Sequence, residues 1–276
     1  MQTAVVVVIG AGGMGQAIAR RQAAGKTLLL ADIDEKLLSS VSDELRGHGH
    51  TTRTQVVDVS SRASVSALAD AAAELGPLTQ VVHTAGLSPV QATTEAILKV
   101  DLLGTALVLE EFGRVVARGG AGLVIASMAG HMWPPGALTA EQKEALAHAS
   151  ADDLLGLDFV EAEKLSPQEA YPLSKYANLL RVRAAGIDWG RREARINSIS
   201  PGVICTPMGR QELAGGSGLH MRAMVEASGV GRLGTPDDIA AAAAFLLGPD
   251  ASFVTGTDLL VDGGVIAARQ PGSCAS

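Results

Sequence analysis

Seven short apolar runs, separated by longer stretches of helical periodicity, constrain the fold of this 276-residue chain more than any other feature. The runs are rich in Val, Ile and Leu without strict polar alternation, which is typical of strands covered by helices on both faces. They predict strands at residues 4–9, 27–32, 53–58, 80–84, 122–127, 195–200 and 258–261. The stretches between them predict helices near residues 14–24, 34–46, 61–75, 94–118, 172–193 and 236–247. Such strand–helix units predict a doubly wound parallel sheet of seven strands, in one α/β domain over residues 1–276.

Composition and charge narrow the class of protein further. Hydrophobic residues make up 47% of the chain and charged residues 18%, which favours a sizeable core and excludes a disordered chain. The net charge of −7 argues against nucleic-acid binding, which requires clustered Lys and Arg. Two cysteines are too few for a disulfide framework, and no apolar run approaches the roughly 20 residues of a membrane span. We therefore expect a cytoplasmic protein that binds neither nucleic acid nor membrane.

A glycine-rich loop directly follows the first predicted strand and opens the first predicted helix. Its residues are Gly10, Ala11, Gly12, Gly13, Met14 and Gly15. In this context glycines permit a tight turn, close approach of the backbone to a pyrophosphate, and close packing of helix against strand. The amino end of the helix presents free N–H groups and a partial positive charge to the phosphates. The loop therefore predicts a Rossmann-type dinucleotide site; the alternative is a glycine-rich turn without function.

Asp32, at the end of the second predicted strand, indicates which dinucleotide binds. A carboxylate there accepts hydrogen bonds from the adenosine ribose and repels a 2′-phosphate. Ile33 follows it, and the glycine loop contains no Lys or Arg, so both observations favour NAD over NADP. Asp58 and Val59, at the end of the third predicted strand, are expected to border the adenine, although an Asp at a strand end is common.

Tyr171 and Lys175 lie four residues apart, which places both on one face of a helix. A phenol with a pKa near 10 is a poor base at neutral pH. An ammonium about 4 Å away lowers that pKa by roughly 3 units at an effective dielectric constant of about 20. The pair therefore has the chemistry of a general acid/base, and the alternative is an ordinary amphipathic helix surface.

These motifs follow the order and approximate spacing of the short-chain dehydrogenase/reductase family, which the sequence resembles over essentially its whole length. The resemblance rests on the glycine loop, Asp58-Val59, Thr84-Ala85-Gly86, Ser127-Met128-Ala129-Gly130, Tyr171-Pro172-Leu173-Ser174-Lys175, Asn197-Ser198-Ile199-Ser200-Pro201-Gly202, Thr206, Gly231-Arg232-Leu233-Gly234-Thr235-Pro236 and Asp262-Gly263-Gly264. It implies an enzyme that interconverts a secondary alcohol and a ketone with a nicotinamide cofactor. It also implies a homodimer or homotetramer, paired through the predicted helices 94–118, 172–193 and 236–247 and the last strand.

The resemblance implies a role for each residue of the site. Tyr171 is expected to be the general acid/base, and Ser127 to orient the substrate oxygen. Lys175 is expected to bind the nicotinamide ribose and to lower the pKa of Tyr171, and Thr206 to hold the nicotinamide carboxamide and the phosphates. Tyr171 is also expected to contact the cofactor, and the other implied cofactor-binding positions are Thr84, Ala85, Gly86, Pro201, Gly202 and Val203.

The sequence departs from the family pattern in four places. The glycine loop is one residue short, and His83 stands where the family has the first Asn of an Asn-Asn-Ala-Gly motif. Asp101 occupies the position of the Asn that joins the catalytic set, so it either serves the proton relay or is a helix-interior Asp bonded to backbone. Ser127 and Tyr171 are 44 residues apart, far more than in the family.

Residues 131–170 form an insertion that leaves the predicted sheet after Ser127 and returns at Tyr171. Thr139-x-x-Gln142 predicts a capping box that opens a helix to about residue 148, and Ser166-Pro167-x-Glu169 predicts a second helix start. Because both ends lie at the active site, we expect a lid in which Met132, Trp133 and some of the Leu and Phe side chains of residues 154–160 cover an apolar substrate. An oligomer contact and an inert loop are the alternatives.

Two further interpretations concern the class of function. The insertion and Gly263-Gly264 resemble the 3α-hydroxysteroid dehydrogenase/carbonyl reductase branch, which implies a hydrophobic or steroid-like substrate. A catalytically silent dinucleotide sensor on the same fold is the alternative, although a sensor has no need of a proton donor.

No His, Cys and carboxylate spacing predicts a metal site. Residues 267–276 are expected to form a flexible tail.

Overall fold

The computed structural model of the protein describes residues 3–90 and 92–269 and contains one seven-stranded parallel sheet within them. Its strands are β1 (Val5–Ile9), β2 (Thr27–Asp32), β3 (Thr51–Val56), β4 (Leu78–His83), β5 (Ala121–Ile125), β6 (Arg195–Pro201) and β7 (Asp258–Val261). The spatial order is β3-β2-β1-β4-β5-β6-β7, so the strand order reverses between β1 and β4. Ligands of open α/β sheets bind at such a reversal, outside the carboxyl ends of the strands. The predicted fold class is confirmed.

Helices connect the strands and cover both faces of the sheet. They are α1 (Gly13–Gln22), α2 (Glu35–Gly47), α3 (Arg62–Leu75), α4 (Thr94–Ile97), α5 (Gly104–Val115), α6 (Met128–His131), α7 (Ala140–His148), α8 (Ala151–Leu154), α9 (Pro167–Arg191), α10 (Pro207–Ala214), α11 (Gly218–Ala227), α12 (Pro236–Leu247) and α13 (Val265–Ala268). Short 3₁₀ turns occur at Ala162–Lys164 and Pro249–Ala251.

The central strand β1 shows why the predicted strands lack polar alternation. Val5 and Val7 pack into one buried cluster with side chains of α3, α5 and α9. Val6 and Val8 point to the opposite face and pack into a second buried cluster with side chains of α1, α2 and α12. Each such side chain contributes about 1.5–3 kcal/mol by leaving water, so apolar residues are favoured at every position of the strand.

The predicted helix 94–118 is divided in the structure. α4 passes into a π-helical segment, Leu98–Leu103, which then continues as α5 and ends at Val115. Asp101 lies within the π-helical segment and is completely buried. Such segments are rare and are frequently found at functional sites, so this irregularity marks the neighbourhood of Asp101.

The predicted helix 172–193 begins five residues earlier, at Pro167. Glu169 Oε2 accepts hydrogen bonds from the Ser166 nitrogen over 2.9 Å and from the Ser166 hydroxyl over 2.7 Å. This cap starts α9 before the insertion has ended, so the predicted second helix start and the predicted helix 172–193 belong to one helix. α9 therefore connects the insertion rigidly to Tyr171.

The insertion contains α7, α8 and the start of α9. α7 and α8 lie on the flank of the domain. Thr139 and Gln142 form the predicted capping box at the start of α7, with Thr139 N donating to Gln142 Oε1 over 2.9 Å. α7 packs on α9, while α8 packs on α5 and the π-helical segment. Leu154 and Val160 are fully buried in the same cluster as Val5. Leu154 is therefore not free to cover a substrate, while Leu155, Leu157 and Phe159 are only partly buried.

Polar contacts fasten the insertion to the rest of the domain. Buried Arg181 on α9 donates to the carbonyl oxygens of Leu146 (3.1 Å) and Ala149 (2.9 Å), which end α7. On the other side, Arg62 pairs with Asp152 of α8 at 3.1 Å. The same guanidinium also pairs with Glu110 and Glu111 of α5. These contacts connect α7 and α8 to α9, α3 and α5.

The end of the chain is described only as far as Arg269. Residues 267 and 268 of the predicted tail belong to α13. Residues 270–276 lie outside the described residues, so the expectation of a flexible tail stays a prediction there.

Candidate active site

The glycine loop turns sharply between β1 and α1 and is braced by the end of β4. Gly10 adopts φ +99°, and a Cβ there would lie 2.6 Å from the Ala85 nitrogen, so only glycine fits. The Thr84 hydroxyl donates to the Gly10 carbonyl oxygen over 2.8 Å. A Cβ on Gly12 would meet no atom within 4 Å, so that side of the loop is open. The structure thus brings the predicted glycine loop and the segment Thr84–Gly86 together.

The amino end of α1 keeps its partial positive charge. Gly12 caps the helix without a side-chain hydrogen bond, and the first turn contains no acidic residue. Its free N–H groups can therefore bind an anion such as a pyrophosphate. Thr206 lies against this turn, because its Cγ2 is 3.2 Å from the position of a Cβ on Gly13. Pro201 ends β6, and the loop that follows with Gly202 and Val203 reaches the glycine loop through Thr206.

Asp32 lies beside the glycine loop, as the sequence predicts. Its Oδ2 accepts a hydrogen bond from the Ala11 nitrogen over 2.7 Å, and its Oδ1 accepts one from the Asp34 nitrogen over 3.0 Å. These bonds hold a negative charge next to the loop. Asp58 follows β3 and accepts hydrogen bonds from both the nitrogen (2.9 Å) and the hydroxyl (2.7 Å) of Ser60. The adenine contact of Asp58 and Val59 stays a prediction.

Tyr171, Lys175, Ser127 and Asp101 meet despite the long insertion. The Lys175 ammonium lies 5.5 Å from the centre of the Tyr171 ring and 3.4 Å from Asp101 Oδ2. The other Asp101 oxygen accepts a hydrogen bond from the Leu87 nitrogen over 2.8 Å. Ser127 caps α6 at the end of β5 and interacts closely enough with Tyr171 to lower the pKa of that phenol. All four predicted catalytic residues thus converge.

Opposing contributions set the pKa of Tyr171. Burial of the phenol raises its pKa, the charge of Lys175 lowers it, and the charge of Asp101 raises it again; the net shift is upward. Lys175 thus acts in the expected direction, but burial of the phenol outweighs the effect of the ammonium. The positive nicotinamide ring of bound NAD⁺ would act in the same direction as Lys175.

Lys175 and Asp101 form a buried ion pair. Burial lowers the pKa of Lys175, but the charges of Asp101 and Tyr171 raise it by more, so the ammonium stays protonated. Burial raises the pKa of Asp101, and Lys175 together with the Leu87 N–H offsets only part of that shift. Asp101 is therefore more than a helix-interior Asp bonded to backbone, because its carboxylate contacts the lysine of the site.

His83 is a further polar group buried beneath the site. It is 1% exposed, and neither ring nitrogen has a hydrogen-bond partner within the described residues. Burial, assisted by the nearby charge of Lys175, lowers its pKa to about 3. The imidazole is therefore neutral at physiological pH, and among residues 3–90 and 92–269 the ion pair of Lys175 is with Asp101.

Met132 and Trp133, which the sequence predicts as residues that contact the substrate, lie in different surroundings. Met132 packs against a small apolar cluster beside the site. The buried members of this cluster are Met128, Val203, Leu213, Val225 and Val265. Trp133 packs against the main core instead, and its indole nitrogen is buried without a partner among residues 3–90 and 92–269. Met132 is thus the better placed of the two to meet a substrate.

Two polar residues near the site gave no signal in the sequence. Ser88 follows the Thr84–Gly86 segment and is 0% exposed, while Glu212 lies half-buried on α10. Glu212 raises the pKa of Tyr171 through its charge, and the next residue, Leu213, packs in the same apolar cluster as Met128, so Glu212 lies near the site. Neither residue belongs to a motif, and α10 falls in a stretch whose sequence lacks clear periodicity.

The part of the chain that the structure describes brings no three His, Cys, Asp or Glu side chains together as ligands for a metal ion. In the same residues, none of the helices has the length and apolar character that crossing a membrane requires.

The arrangement defines a class of protein. A glycine loop at the carboxyl end of a central parallel strand, with a Tyr–Lys pair and a serine at the same sheet edge, is the architecture of a Rossmann-type oxidoreductase.

Comparisons with known proteins specify the family. The family model described as short chain dehydrogenase matches residues 4–139, and the model described as enoyl-(acyl carrier protein) reductase matches residues 137–266. A short-chain dehydrogenase/reductase of Alternaria brassicicola is 42% identical over 97% of each chain. D-threitol dehydrogenase of Mycolicibacterium smegmatis is 30% identical over 94% of this chain and 92% of its own. The chain therefore belongs to the short-chain dehydrogenase/reductase family.

A solved structure shares the fold. The short-chain type dehydrogenase/reductase from Mycobacterium ulcerans superimposes with a TM-score of 0.74 and covers 97% of this chain and 90% of its own at 24% identity. The family binds a nicotinamide dinucleotide, and the open glycine loop with its unneutralised helix end fits such a group.

Proposed function

We propose that the protein interconverts a secondary alcohol and a ketone with NAD(H) as hydride carrier. The observation that carries this proposal is the convergence of Tyr171, Lys175 and Ser127 at the sheet edge that also holds the glycine loop. The relative named D-threitol dehydrogenase supports an alcohol as the substrate. The apolar cluster beside Met132 supports a substrate that is largely hydrophobic.

Each residue of the site has a separate role in this reaction. Bound cofactor supplies the hydride chemistry, and the protein supplies position and charge. Ser127 holds the substrate oxygen by a hydrogen bond, and Tyr171 removes the alcohol proton in oxidation or returns it in reduction. Lys175 stabilises the phenolate form of Tyr171. Asp101 is a positioning residue that holds the buried ammonium of Lys175 by an ion pair over 3.4 Å.

Turnover tests the proposal directly. Purified protein is incubated with NAD⁺ or NADP⁺ and a set of secondary alcohols, and reduced cofactor is followed by its absorbance. We expect oxidation of several alcohols, faster at higher pH because Tyr171 must lose its proton before it can act as the base. Tight cofactor binding without turnover of any alcohol or ketone would reject the proposal and favour a dinucleotide sensor.

Asp32 provides the test of cofactor choice. Its carboxylate beside the glycine loop repels a 2′-phosphate, so we expect NAD to bind at least tenfold more tightly than NADP. Asp32→Ala should narrow this gap mainly by improving NADP binding. Dissociation constants from fluorescence titration measure both values, and Asp34→Ala, which keeps the Asp32 carboxylate, is the matched control. Equal or tighter binding of NADP to the unaltered protein would contradict the role of Asp32.

Self-association is a second part of the proposal. Exposed apolar side chains lie on the elements that the family resemblance assigns to pairing: Ile187 on α9 is 66% exposed, and Phe245 on α12 is 46% exposed. Phe253, before β7, is fully exposed. α7 and α8 cover part of the α5–α9 face, so the insertion would border such an interface. We expect a homodimer or homotetramer by light scattering at micromolar concentration, and a clean monomer would contradict it.

The part of the insertion that we propose as a lid is its start, residues 131–138. Residues 134–137 are exposed and follow Met132, whereas α7 and α8 are packed on the flank. We expect limited proteolysis within residues 131–138 to slow when NAD and substrate are both bound, because the segment then closes over the site. Cleavage in the exposed turn at residues 47–49 is the internal control and should not change. Equal cleavage of 131–138 with and without ligands would contradict a lid.

A further inference from the structure

α10 carries Glu212 and borders the site, because its Leu213 packs in the same cluster as Met128 and Val203. The helix begins at Thr206, whose hydroxyl accepts from the Gly209 nitrogen over 3.0 Å, so its start is fixed beside the glycine loop. Its other end reaches the loop after β4, because Val90 is 3.8 Å from the position of a Cβ on Gly215. α10 therefore spans from the cofactor side of the cleft to the loop that holds Ser88.

Ser88 is placed beside the catalytic group by its neighbours. Gly86 is so close to Lys175 that a Cβ there would lie 3.2 Å from the ammonium, and Leu87 donates to Asp101 over 2.8 Å. Ser88 comes next in the chain and is completely buried, yet its hydroxyl forms no well-aligned hydrogen bond within the described residues. A buried hydroxyl whose nearest partner is poorly aligned gains a well-aligned hydrogen bond when a polar group binds beside it.

Glu212 is the acidic group that faces this hydroxyl. Burial raises the pKa of Glu212, and the interaction with Ser88 lowers it, so the two side chains are neighbours. No Lys, Arg or His of the described residues forms an ion pair with Glu212. The Glu212 carboxylate, which has no cation beside it, can accept a hydrogen bond from one further polar group. The Ser88 hydroxyl, which has no aligned partner, can donate a hydrogen bond to the same group.

The surroundings of this pair are apolar. Leu213, the next residue of α10, is buried in the cluster that contains Met128 and Val225, and Met132 and Met221 pack against it. Methionine side chains adapt to irregular apolar shapes. The cleft therefore offers a deformable apolar wall with one polar position near Tyr171.

We propose that Ser88 and Glu212 bind a second hydroxyl group of the substrate, so that the enzyme prefers a compact, mostly apolar diol or hydroxyketone over the corresponding simple alcohol or ketone. The proposal rests on the proposed alcohol–ketone activity. The second hydroxyl donates to the Glu212 carboxylate and accepts from the Ser88 hydroxyl, while Tyr171 and Ser127 hold the reacting oxygen. The charge of Glu212 also repels substrates that carry a carboxylate near that position.

The experiment compares cyclohexanol with cyclohexane-1,2-, 1,3- and 1,4-diol, which share an apolar ring and differ in a second hydroxyl. A hydrogen bond to a charged group contributes about 1.5–3 kcal/mol, so kcat/KM for the best diol should exceed that for cyclohexanol by about 10- to 150-fold. Glu212→Ala should remove most of this ratio, and Ser88→Ala should remove part of it. Glu226→Ala, an exposed carboxylate on α11, is the matched control and should keep the ratio.

The ratio of diol to cyclohexanol is the deciding quantity, because loss of Glu212 also changes the pKa of Tyr171 and so alters the rate with every substrate. Thermal melting, with and without NAD, verifies that each variant folds and binds cofactor. Turnover of cyclohexanol with no preference for any diol, or a preference that survives Glu212→Ala, would overturn the proposal alone. Absence of turnover with every alcohol would reject the proposed function and this proposal with it.

Discussion

Replacing Tyr171 by Phe should lower kcat by a factor of 10² or more. The substitution removes the phenol oxygen, which is the proposed proton donor and acceptor of the site, and keeps the ring that packs against the main core. General acid/base groups contribute typically 10²–10⁴-fold to rate. The affinity for NAD should change little, because no phosphate or adenosine contact is expected of Tyr171.

The other tyrosine of the chain offers a matched control. Tyr176 lies on the same helix and is also half-buried, but it forms no part of the Lys175–Asp101 cluster. Tyr176→Phe removes a phenol oxygen from α9 and should leave kcat within about twofold, since surface-near substitutions away from such clusters have small effects. Single-turnover rates and NAD titrations separate chemistry from binding. Wild-type turnover by Tyr171→Phe would refute the assigned mechanism.

The features that the sequence predicts well are those with a local physical cause. The glycine loop follows β1 because Gly10 needs a positive φ and close contact with Ala85, and such needs leave a mark in the sequence. The Tyr171–Lys175 pair is recognisable because four residues make one helical turn. The strands are recognisable because burial on both faces requires apolar residues throughout.

The features that the sequence predicts poorly depend on packing between distant segments. Leu154 and Val160 are apolar residues of the insertion that was expected to form a lid, yet they are buried in the main core. The reason is that α8 packs against α5, and hydrophobic periodicity does not reveal such a contact. The pKa of Tyr171 depends on how deeply the phenol is buried and on Asp101, 70 residues away in the chain. Ser88 and Glu212 come together only because α10 crosses the loop after β4.

Lys175→Met should damage both activity and stability. The Lys175 ammonium lies 5.5 Å from the centre of the Tyr171 ring. Two unit charges at a separation of that order interact by about 3 kcal/mol at an effective dielectric constant of about 20, so loss of the ammonium should make the Tyr171 phenolate about a hundredfold rarer and lower kcat accordingly. The substitution also leaves Asp101 buried without its cation, which costs about 3–5 kcal/mol when the carboxylate stays charged.

This loss of stability should depend on pH. Burial raises the pKa of Asp101 in the folded protein, and removing Lys175 removes the charge that opposed this shift. The folded variant then binds a proton that the unfolded chain has already released, so its free energy of unfolding falls as pH rises above the usual carboxyl range. Chemical denaturation of Lys175→Met at pH 5 and pH 8 should show a larger deficit at pH 8.

The double variant Asp101→Asn, Lys175→Met separates the two effects. Removing the carboxylate as well should recover most of the lost stability at pH 8, because no buried charge remains unpaired, but it should not recover kcat, because the ammonium is still absent. Asp101→Asn alone should keep substantial activity and move the midpoint of the pH–rate profile for alcohol oxidation to lower pH, since Asp101 raises the pKa of Tyr171. If Lys175→Met is as stable as the unaltered protein at pH 8, or if the double variant gains no stability over it, Asp101 and Lys175 are not coupled as the geometry indicates.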